Sequence, residues 1–476
     1  MSIFSSLIKT GDNLSSFTRS LEAIQNNIAN ASTPGYARQR VNLTAEPFQL
    51  SAGLIGGVRA GATESMRDTY AEESVRYHTS QLSSFQQITV MLQQIDGIFG
   101  NDPDSGIRGA MSRLFDSFSE WSTAPNETNA RQAVLARATE LAQSFQSTAN
   151  HVIRTSASVH RQIDDSVTQI NGLASQLAKA ASAMNASGGV DAGAEASFYA
   201  GLETLSEIAD ITVTRNANGT FTVLLGGEVP LLMSNQPYLL QPAVDTPAAS
   251  TDPFPGAPST TRIFDSSGND VTSKFSGGSL HGLLRLRNEV LPSIIGDGQQ
   301  QGRINLLAQH LADQVNQLLL SGEVTDPPST PPVPLFTYDA ANPARAAASL
   351  TLNPAITPHT LAAIQTTPYT AMNGIPVQLA QLRDPSDPAL KIDGMNYSDY
   401  AIDIATGIGY LHSDATANQQ LQSMLHLQAQ NLRQQISGVS LEQEAVMLLQ
   451  FQRAYQAATK VVSVLDELTQ ATLAMV

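Results

Sequence analysis

Apolar positions recur every three or four residues at the start of the chain, with Ser, Asn, Gln and Glu between them. This spacing predicts an amphipathic helix over residues 3–28, with an apolar seam for a partner helix. The helix is predicted to end before Pro34-Gly35, a type II turn signature, because glycine adopts positive φ at little cost. Extended chain is expected over residues 37–50. The residues of the predicted seam are Leu7, Leu14, Phe17, Leu21, Ile24 and Ile28.

Helical patterns continue over residues 63–99 and 107–121, and the longest one runs from Asn126 to about Asn185. In the longest pattern the apolar seam repeats every 3.5 residues, which predicts a rod-like helix. The character of the sequence changes at Ser187-Gly188-Gly189: a helical piece is expected near residues 195–210, and residues 211–225 then have the pattern of a β-hairpin. Helix returns over residues 279–321, followed by a proline-rich linker and a mixed region.

The last segment, from about Asp414 to the end, again has a helical pattern, interrupted at Ser437-Gly438. Its three-four seam matches that of the first helix, and helices at both ends without another partner are expected to pair. Isolated helices are marginal in water, so both ends are expected to be disordered in the free monomer. The residues of this C-terminal seam are Leu448, Phe451, Tyr455, Val462 and Leu465.

These patterns predict a mainly α fold with β-rich insertions. A long coiled-coil-like helical bundle is built from both chain ends, with one or two small β domains added. The predicted units are a terminal coiled-coil core (1–45 and 425–476), a helical rod domain (46–205, 279–325 and 405–424), a β-rich insertion (206–278) and a second small mixed insertion (326–404).

Composition excludes several classes of protein. The net charge of −16 arises from 42 acidic and 26 basic residues without a basic stripe, which argues against nucleic acid as a partner. No apolar run reaches the ~18 residues that a membrane helix needs. The absence of cysteine excludes disulfides and thiolate metal sites. The first residues lack a basic region and an apolar core, so export would have to leave the N-terminus uncleaved.

Signatures of catalysis are absent from the sequence as well. The eight histidines form neither an HExxH motif nor an i, i+4 pair, and GxSxG does not occur. Asp164 and Asp165 are adjacent on a helix and point about 100° apart, which is unsuitable for an acid–base pair. We therefore predict no catalytic, cofactor-binding or metal-binding residues and no enzymatic activity.

Two motifs at opposite ends of the chain resemble those of one family, the flagellar rod, hook and hook-associated proteins. The first is the segment NNIANASTPGY, and the second comprises SGVSLEQEA (437–445) and QRAYQAA (452–458). The asparagine run is not explained by a helix that simply ends in a Pro-Gly turn. The signature residues are Asn26, Asn27, Asn30, Thr33, Pro34, Gly35 and Tyr36.

The resemblance, most specific to the hook-associated members, implies a structural subunit at the junction between hook and filament. It implies uncleaved type III export, an extracellular location on the flagellum, and assembly through the two terminal seams. The implied partners are further copies in a ring, the hook protein, hook-associated protein 3 and a cytosolic export chaperone on the C-terminal helix. Alternatives are a hook or distal-rod protein, a surface-binding module displayed by the insertions, and an enzyme carried there.

Overall fold

The protein is described by a computed structural model that covers residues 3–49, 54–99, 104–188, 190–245, 260–297, 300–325, 330–368 and 370–474. Helices dominate these residues and confirm the predicted fold class. They are α1 (Ile3–Ala29), α2 (Thr69–Phe99), α3 (Gly106–Thr123), α4 (Thr128–Ala186), α5 (Ala192–Ile208), α6 (Gly278–Arg285), α7 (Leu291–Ile295), α8 (Arg303–Leu320), α9 (Ala346–Ser349), α10 (Gly374–Gln381), α11 (Tyr397–Ser437) and α12 (Leu441–Ala474).

The strands form small antiparallel sheets: β1 pairs with β2, β3 to β6 form one sheet in chain order, β7 pairs with β8, and β9 with β10. Their bounds are β1 (Gln39–Gln49), β2 (Leu54–Ser65), β3 (Ile211–Arg215), β4 (Phe221–Leu225), β5 (Val229–Met233), β6 (Gln236–Pro237), β7 (Gln241–Asp245), β8 (Thr260–Phe264), β9 (Phe336–Thr337) and β10 (Thr351–Leu352).

Helix α4 is the longest element of a helical rod that it forms with α2, α3, α5, α6 and α11. Its 59 residues make it about 90 Å long at 1.5 Å per residue. Phe145, Val152, Val159, Ile163 and Ile170 are all 0% exposed along one side of it. The sustained apolar period in the sequence therefore becomes a continuous buried stripe.

The sheet of β3 to β6 lies against the rod at the end of α5. Alternate residues of β4 are buried, as expected for a strand with one covered face. The ring of Phe221 on β4 lies 4.4 Å from that of Phe198 on α5, measured between centroids. The predicted β-rich insertion is thus joined to the rod through a common apolar core. Within this insertion, residues 246–259 lie outside the described residues.

The described part of the second predicted insertion is folded onto the rod and is mostly helical or irregular. Helix α10 packs against α3, where Ile375 is 1% and Leu379 0% exposed. The ring of Tyr397 stacks on that of Phe115 of α3 at 6.4 Å. The apolar residues of this region are buried because they pack against α3 and α8. The periodicity of the sequence could not indicate this packing.

Two predicted element boundaries are wrong. The helix expected from Thr63 begins at Thr69, because residues 54–65 pair with β1 as an antiparallel strand. The C-terminal helical region expected from Asp414 begins at Tyr397, where the Asn396 side chain caps α11 by accepting a hydrogen bond from the Asp399 N–H at 2.8 Å. Helix α11 also crosses residue 425, predicted to start the terminal core, without a break.

The two terminal helices lie side by side. Helix α1 packs along α12, and the β1–β2 hairpin packs against α1. Helices α11 and α12 are separated by a short break that begins at Gly438. The pairing of the chain ends is therefore present within one subunit, whereas their expected disorder in the free monomer stays a prediction.

Candidate functional site: the joint between the terminal helices and the rod

The predicted seam residues lie on the intramolecular contact between α1 and α12. Ile24 is 5% exposed, and the ring centroids of Phe17 and Phe451 are 6.3 Å apart. The other predicted members are partly buried in the single subunit: Leu7, Leu14, Leu21, Ile28, Leu448, Tyr455, Val462 and Leu465.

Asn27, the second residue of the N-terminal signature, is 1% exposed and uses both the oxygen and the nitrogen of its side-chain amide. Its Oδ1 accepts from the backbone N–H of Gln39 at 2.8 Å and from the hydroxyl of Tyr36 at 2.9 Å. Its Nδ2 donates to the Gln39 carbonyl at 2.9 Å and to Glu444 Oε2 at 3.2 Å. Only a side chain with both donors and acceptors meets these demands, which explains the asparagine.

The other two signature asparagines close the C-terminal end of α1. Asn30 Nδ2 donates to the carbonyl of Asn26 at 3.0 Å and to its Oδ1 at 2.8 Å. Thr33 Oγ1 donates to Asn30 Oδ1 at 3.1 Å. Asn26 Nδ2 in turn donates to the hydroxyl of Tyr36 at 3.2 Å. These bonds tie the side chains of the last turn of α1 to the loop that follows it, and the Asn26 carbonyl also accepts from the Asn30 N–H at 3.0 Å.

The turn that follows places the loop directly against α5. The Tyr36 N–H donates to the Thr33 carbonyl at 3.1 Å and Gly35 has φ of 71°, so the predicted type II turn is confirmed. A Cβ on Gly35 would lie 2.3 Å from the carbonyl oxygen of Ala196. Pro34 is exposed. Glycine is therefore required here both by backbone conformation and by space.

Glu444 connects the C-terminal helix to this signature. Its side chain is 0% exposed, and Arg38 Nε donates to its Oε1 at 2.7 Å. The Arg38 N–H donates to the Ser437 carbonyl at 3.0 Å, and Ser437 Oγ accepts from the Asp68 N–H at 3.1 Å. We call Asn27, Arg38, Ser437 and Glu444 the joint, because they fix α1, α12 and the end of α11 together.

Sequence reasoning assigned no role to Arg38 and Glu444. A signal was present, since a basic residue lies two positions after the N-terminal motif and an acidic residue lies within the C-terminal motif. Burial of Tyr36, together with the carboxylates of Glu444 and Glu195, raises the pKa of its phenol to about 12. Tyr36 therefore remains a protonated donor to Asn27 at neutral pH.

A second charged cluster fastens the joint to the rod. The guanidinium of Arg67 donates to the Gly35 carbonyl at 2.6 Å, to Glu72 at 2.5 Å and to Glu195 at 3.1 Å. It also lies 3.7 Å from the ring centroid of Tyr199. Because Glu72 belongs to α2 and Glu195 to α5, one buried arginine holds the signature loop against two rod helices.

The contact between α2 and α11 contains three histidines, of which His412 lies 3.9 Å from the carboxylate of Asp96. His78 Nδ1 lies 3.1 Å from Gln422 Oε1, and His426 Nδ1 lies 3.2 Å from Thr79 Oγ1. Burial lowers the pKa of His426; Glu203 opposes the shift, and Arg433 and His78 reinforce it. The folded subunit therefore favours the neutral imidazole.

This arrangement predicts acid sensitivity of the α2–α11 contact. A lowered folded pKa means that the stabilisation is complete above about pH 6.5 and is lost as pH falls through the folded value. We expect the melting temperature to fall between pH 8 and 5, and to fall less in His426→Gln. The exposed His359→Gln is the control, and equal slopes in both variants would contradict the assignment. Burial raises the pKa of Glu207, so this residue stabilises the fold as the pH falls. It does so equally in the unaltered chain and in both variants.

Two features absent from the described residues bear on other functions. Within the described ranges, no three His, Asp or Glu side chains are grouped so that they could hold a metal ion. None of the helices seen there is both long enough and apolar enough to span a bilayer.

Comparison with known proteins identifies two matching family models. The flagellar hook-associated protein FlgK helical domain matches residues 92–326, and the flagellar basal body rod FlgEFG protein C-terminal model matches residues 433–475. The first covers most of the rod and the β-rich insertion, and the second covers all of the described α12. The matched regions thus include both the rod and one of the two terminal helices.

Full-length relatives and a solved structure agree with these matches. Flagellar hook-associated protein 1 of Bacillus subtilis is 27% identical over 96% of this chain and 95% of its own. That of Salmonella typhimurium is 25% identical over 62% of this chain, which corresponds to 53% of the relative. The flagellar hook junction protein FlgK of Burkholderia pseudomallei has a TM-score of 0.64 at 15% identity, over 77% of this chain and all of that one, and so shares the fold. Along nearly its whole length the chain is therefore similar to flagellar hook-associated protein 1, and its rod matches the helical-domain model of that protein.

Proposed function

We propose that the chain is a structural subunit of the bacterial flagellum that forms the junction between hook and filament, and that it is not an enzyme. The family and the likeness to a hook junction protein support this role. The observation that carries the assembly mechanism is a second apolar seam on α12, which the partner helix α1 leaves uncovered.

The second seam consists of apolar residues at heptad-like spacing on the side of α12 away from α1. Val446, Val461, Val464 and Leu468 are 45–55% exposed, although each is a large apolar side chain. The small, exposed Ala457 falls in the same row, and from Ala457 to Leu468 the row follows the three- and four-residue steps of a coiled coil. The seam is thus available to a further helix.

A helix with two seams joins two neighbours at once. On a helical wheel of 100° per residue, the second seam lies more than a quarter-turn from the row of Phe451 and Val462 that faces α1. Repeating such a contact from copy to copy builds a closed ring or a tube, depending on the rotation. The contact between copies is therefore assigned to the second seam, whereas the sequence-predicted seams serve pairing within each subunit.

The same surface accounts for the expected partners. An exposed apolar seam must be covered before assembly, which is the role of an export chaperone on the C-terminal helix. In the assembled flagellum the hook protein would contact the ring on one side and hook-associated protein 3 on the other. We place the subunit outside the cell, exported through the flagellar apparatus without cleavage of its N-terminus.

A deletion strain tests the proposed function. Cells lacking the gene should build hooks of normal length, carry no filaments and release flagellin monomer into the medium. The gene supplied on a plasmid should restore filaments. Loss of the hooks themselves would instead indicate a hook or distal-rod protein, and normal filaments would contradict both roles.

A further inference from the structure

The helical segment from Gly278 to Ile295 contains a π-helical turn over Leu286–Val290, between α6 and α7. The Leu291 N–H donates to the Leu286 carbonyl, five residues back. Pro292 follows immediately. In a regular α-helix its ring would clash with the carbonyl of Asn288, and proline has no N–H to donate to that carbonyl. A widened turn relieves this conflict, and such turns occur frequently at functional positions.

Asn288, in the widened turn, binds the backbone of β8. Its Oδ1 accepts from the Thr261 N–H at 2.9 Å, and its Nδ2 donates to the Thr261 carbonyl at 3.0 Å. The side-chain amide thus forms the pair of backbone hydrogen bonds that a neighbouring strand would otherwise form with this strand edge. Two residues further along the same strand, the Ile263 N–H donates to Thr272 Oγ1 at 2.8 Å.

Arg287, the adjacent residue, connects the same strand to the rod. It is 5% exposed; its Nε donates to Thr261 Oγ1 at 3.3 Å and its Nη1 donates to Ser156 Oγ on α4. Thr261 Oγ1 also lies 3.3 Å from His160 Nδ1, again on α4. Burial lowers the pKa of the guanidinium to about 10, so it is charged at neutral pH. Its hydrogen bonds therefore offset a real cost of burying charge.

We infer that Arg287, Asn288 and Thr261 form a latch that fixes the orientation of the β7–β8 ribbon on the helical rod. These are positioning residues: they act through the ribbon, whose strand β8 leads into a turn over residues 265–269 that includes the exposed Ser266. The inference goes beyond the junction role, which depends on the terminal helices. The orientation of the β7–β8 ribbon is then set by the hydroxyl of Thr261, the amide of Asn288 and the buried guanidinium of Arg287.

The orientation can be measured directly, because the chain has no cysteine. Spin labels on Gln169→Cys of α4 and Ser266→Cys of the turn after β8, both exposed positions, report one distance in the intact chain. Thr261→Val keeps the shape of the side chain but removes the hydroxyl, and should at least double the width of the distance distribution. Thr261→Ser keeps the hydroxyl and should restore the narrow distribution.

Arg285→Met is the matched control, since Arg285 is half-buried and pairs only loosely with Glu289 at 3.7 Å. It should leave the distribution narrow. Equal widths for the valine and serine variants would overturn the latch, as would a broad distribution in the unaltered chain. If the circular dichroism signal shows that Thr261→Val does not fold, Asn288→Ala decides: broadening supports the latch, and an unchanged width refutes it.

Discussion

Replacing Val464 by aspartate should leave the subunit folded and exported but abolish the junction ring, giving cells with hooks and no filaments. Val464 is 45% exposed in the single subunit, so a carboxylate there remains in water. In the proposed assembly the same position is buried against a neighbouring copy, where burying an unpaired charge weakens each contact by on the order of several kcal/mol. The readouts are electron microscopy of the cells and flagellin in the medium.

Ser463→Asp is the matched control for this experiment. Ser463 is exposed, one residue earlier on α12, and points about 100° away from Val464, outside both seams. It adds the same charge to the same helix, and we expect normal filaments. Filaments in Val464→Asp cells would remove the second seam from the assembly interface, and loss of filaments in both variants would indicate a general effect of charge on α12.

Replacing Arg38 by alanine should weaken the joint by about 3 kcal/mol, because it leaves the carboxylate of Glu444 buried without its cation. The figure lies at the lower end for a buried pair since Arg38 itself is 22% exposed, so water can reach part of the site. Native-state amide exchange of residues 24–39 and 437–445 measures the effect. These amides should exchange faster in the variant, with rod helix α4 unchanged.

The double variant Arg38→Ala, Glu444→Gln should recover much of this loss. Glutamine removes the buried charge and retains an oxygen that can accept from Asn27 Nδ2, now 3.2 Å from Glu444. The exposed Arg40→Ala serves as the control and should leave exchange unchanged. If the double variant were as weak as Arg38→Ala alone, the buried charge would not be the cause. Absence of protection in the unaltered chain would show that the joint does not form in the monomer.

Local sequence patterns determined the elements that depend on local physics. The 3.5-residue period of α4 predicted its long buried stripe, since side-chain spacing on a helix follows from backbone geometry alone. The Pro34-Gly35 turn was predictable for the same reason, because only its own dihedral angles are involved. Matching seams at both ends likewise predicted the pairing of α1 with α12, and the terminal motifs indicated the family.

Tertiary contacts decided what local patterns could not. Residues 63–65 extend because β1 is available to pair with them, and the region around α10 covers α3 because apolar area is exposed there. The seam that each helix uses within the subunit, and hence the one left for neighbours, depends on how α1 lies on α12.

The joint on which the site is built is the clearest case. Asn27 and Glu444 are 417 positions apart in the sequence, and a hydrogen bond joins them only after both ends have folded. The sequence by itself determined that the chain has two matching terminal helices with a signature motif in each. Only the tertiary structure decided that a buried ion pair locks those motifs together, because burial and long-range pairing arise from packing and have no local period.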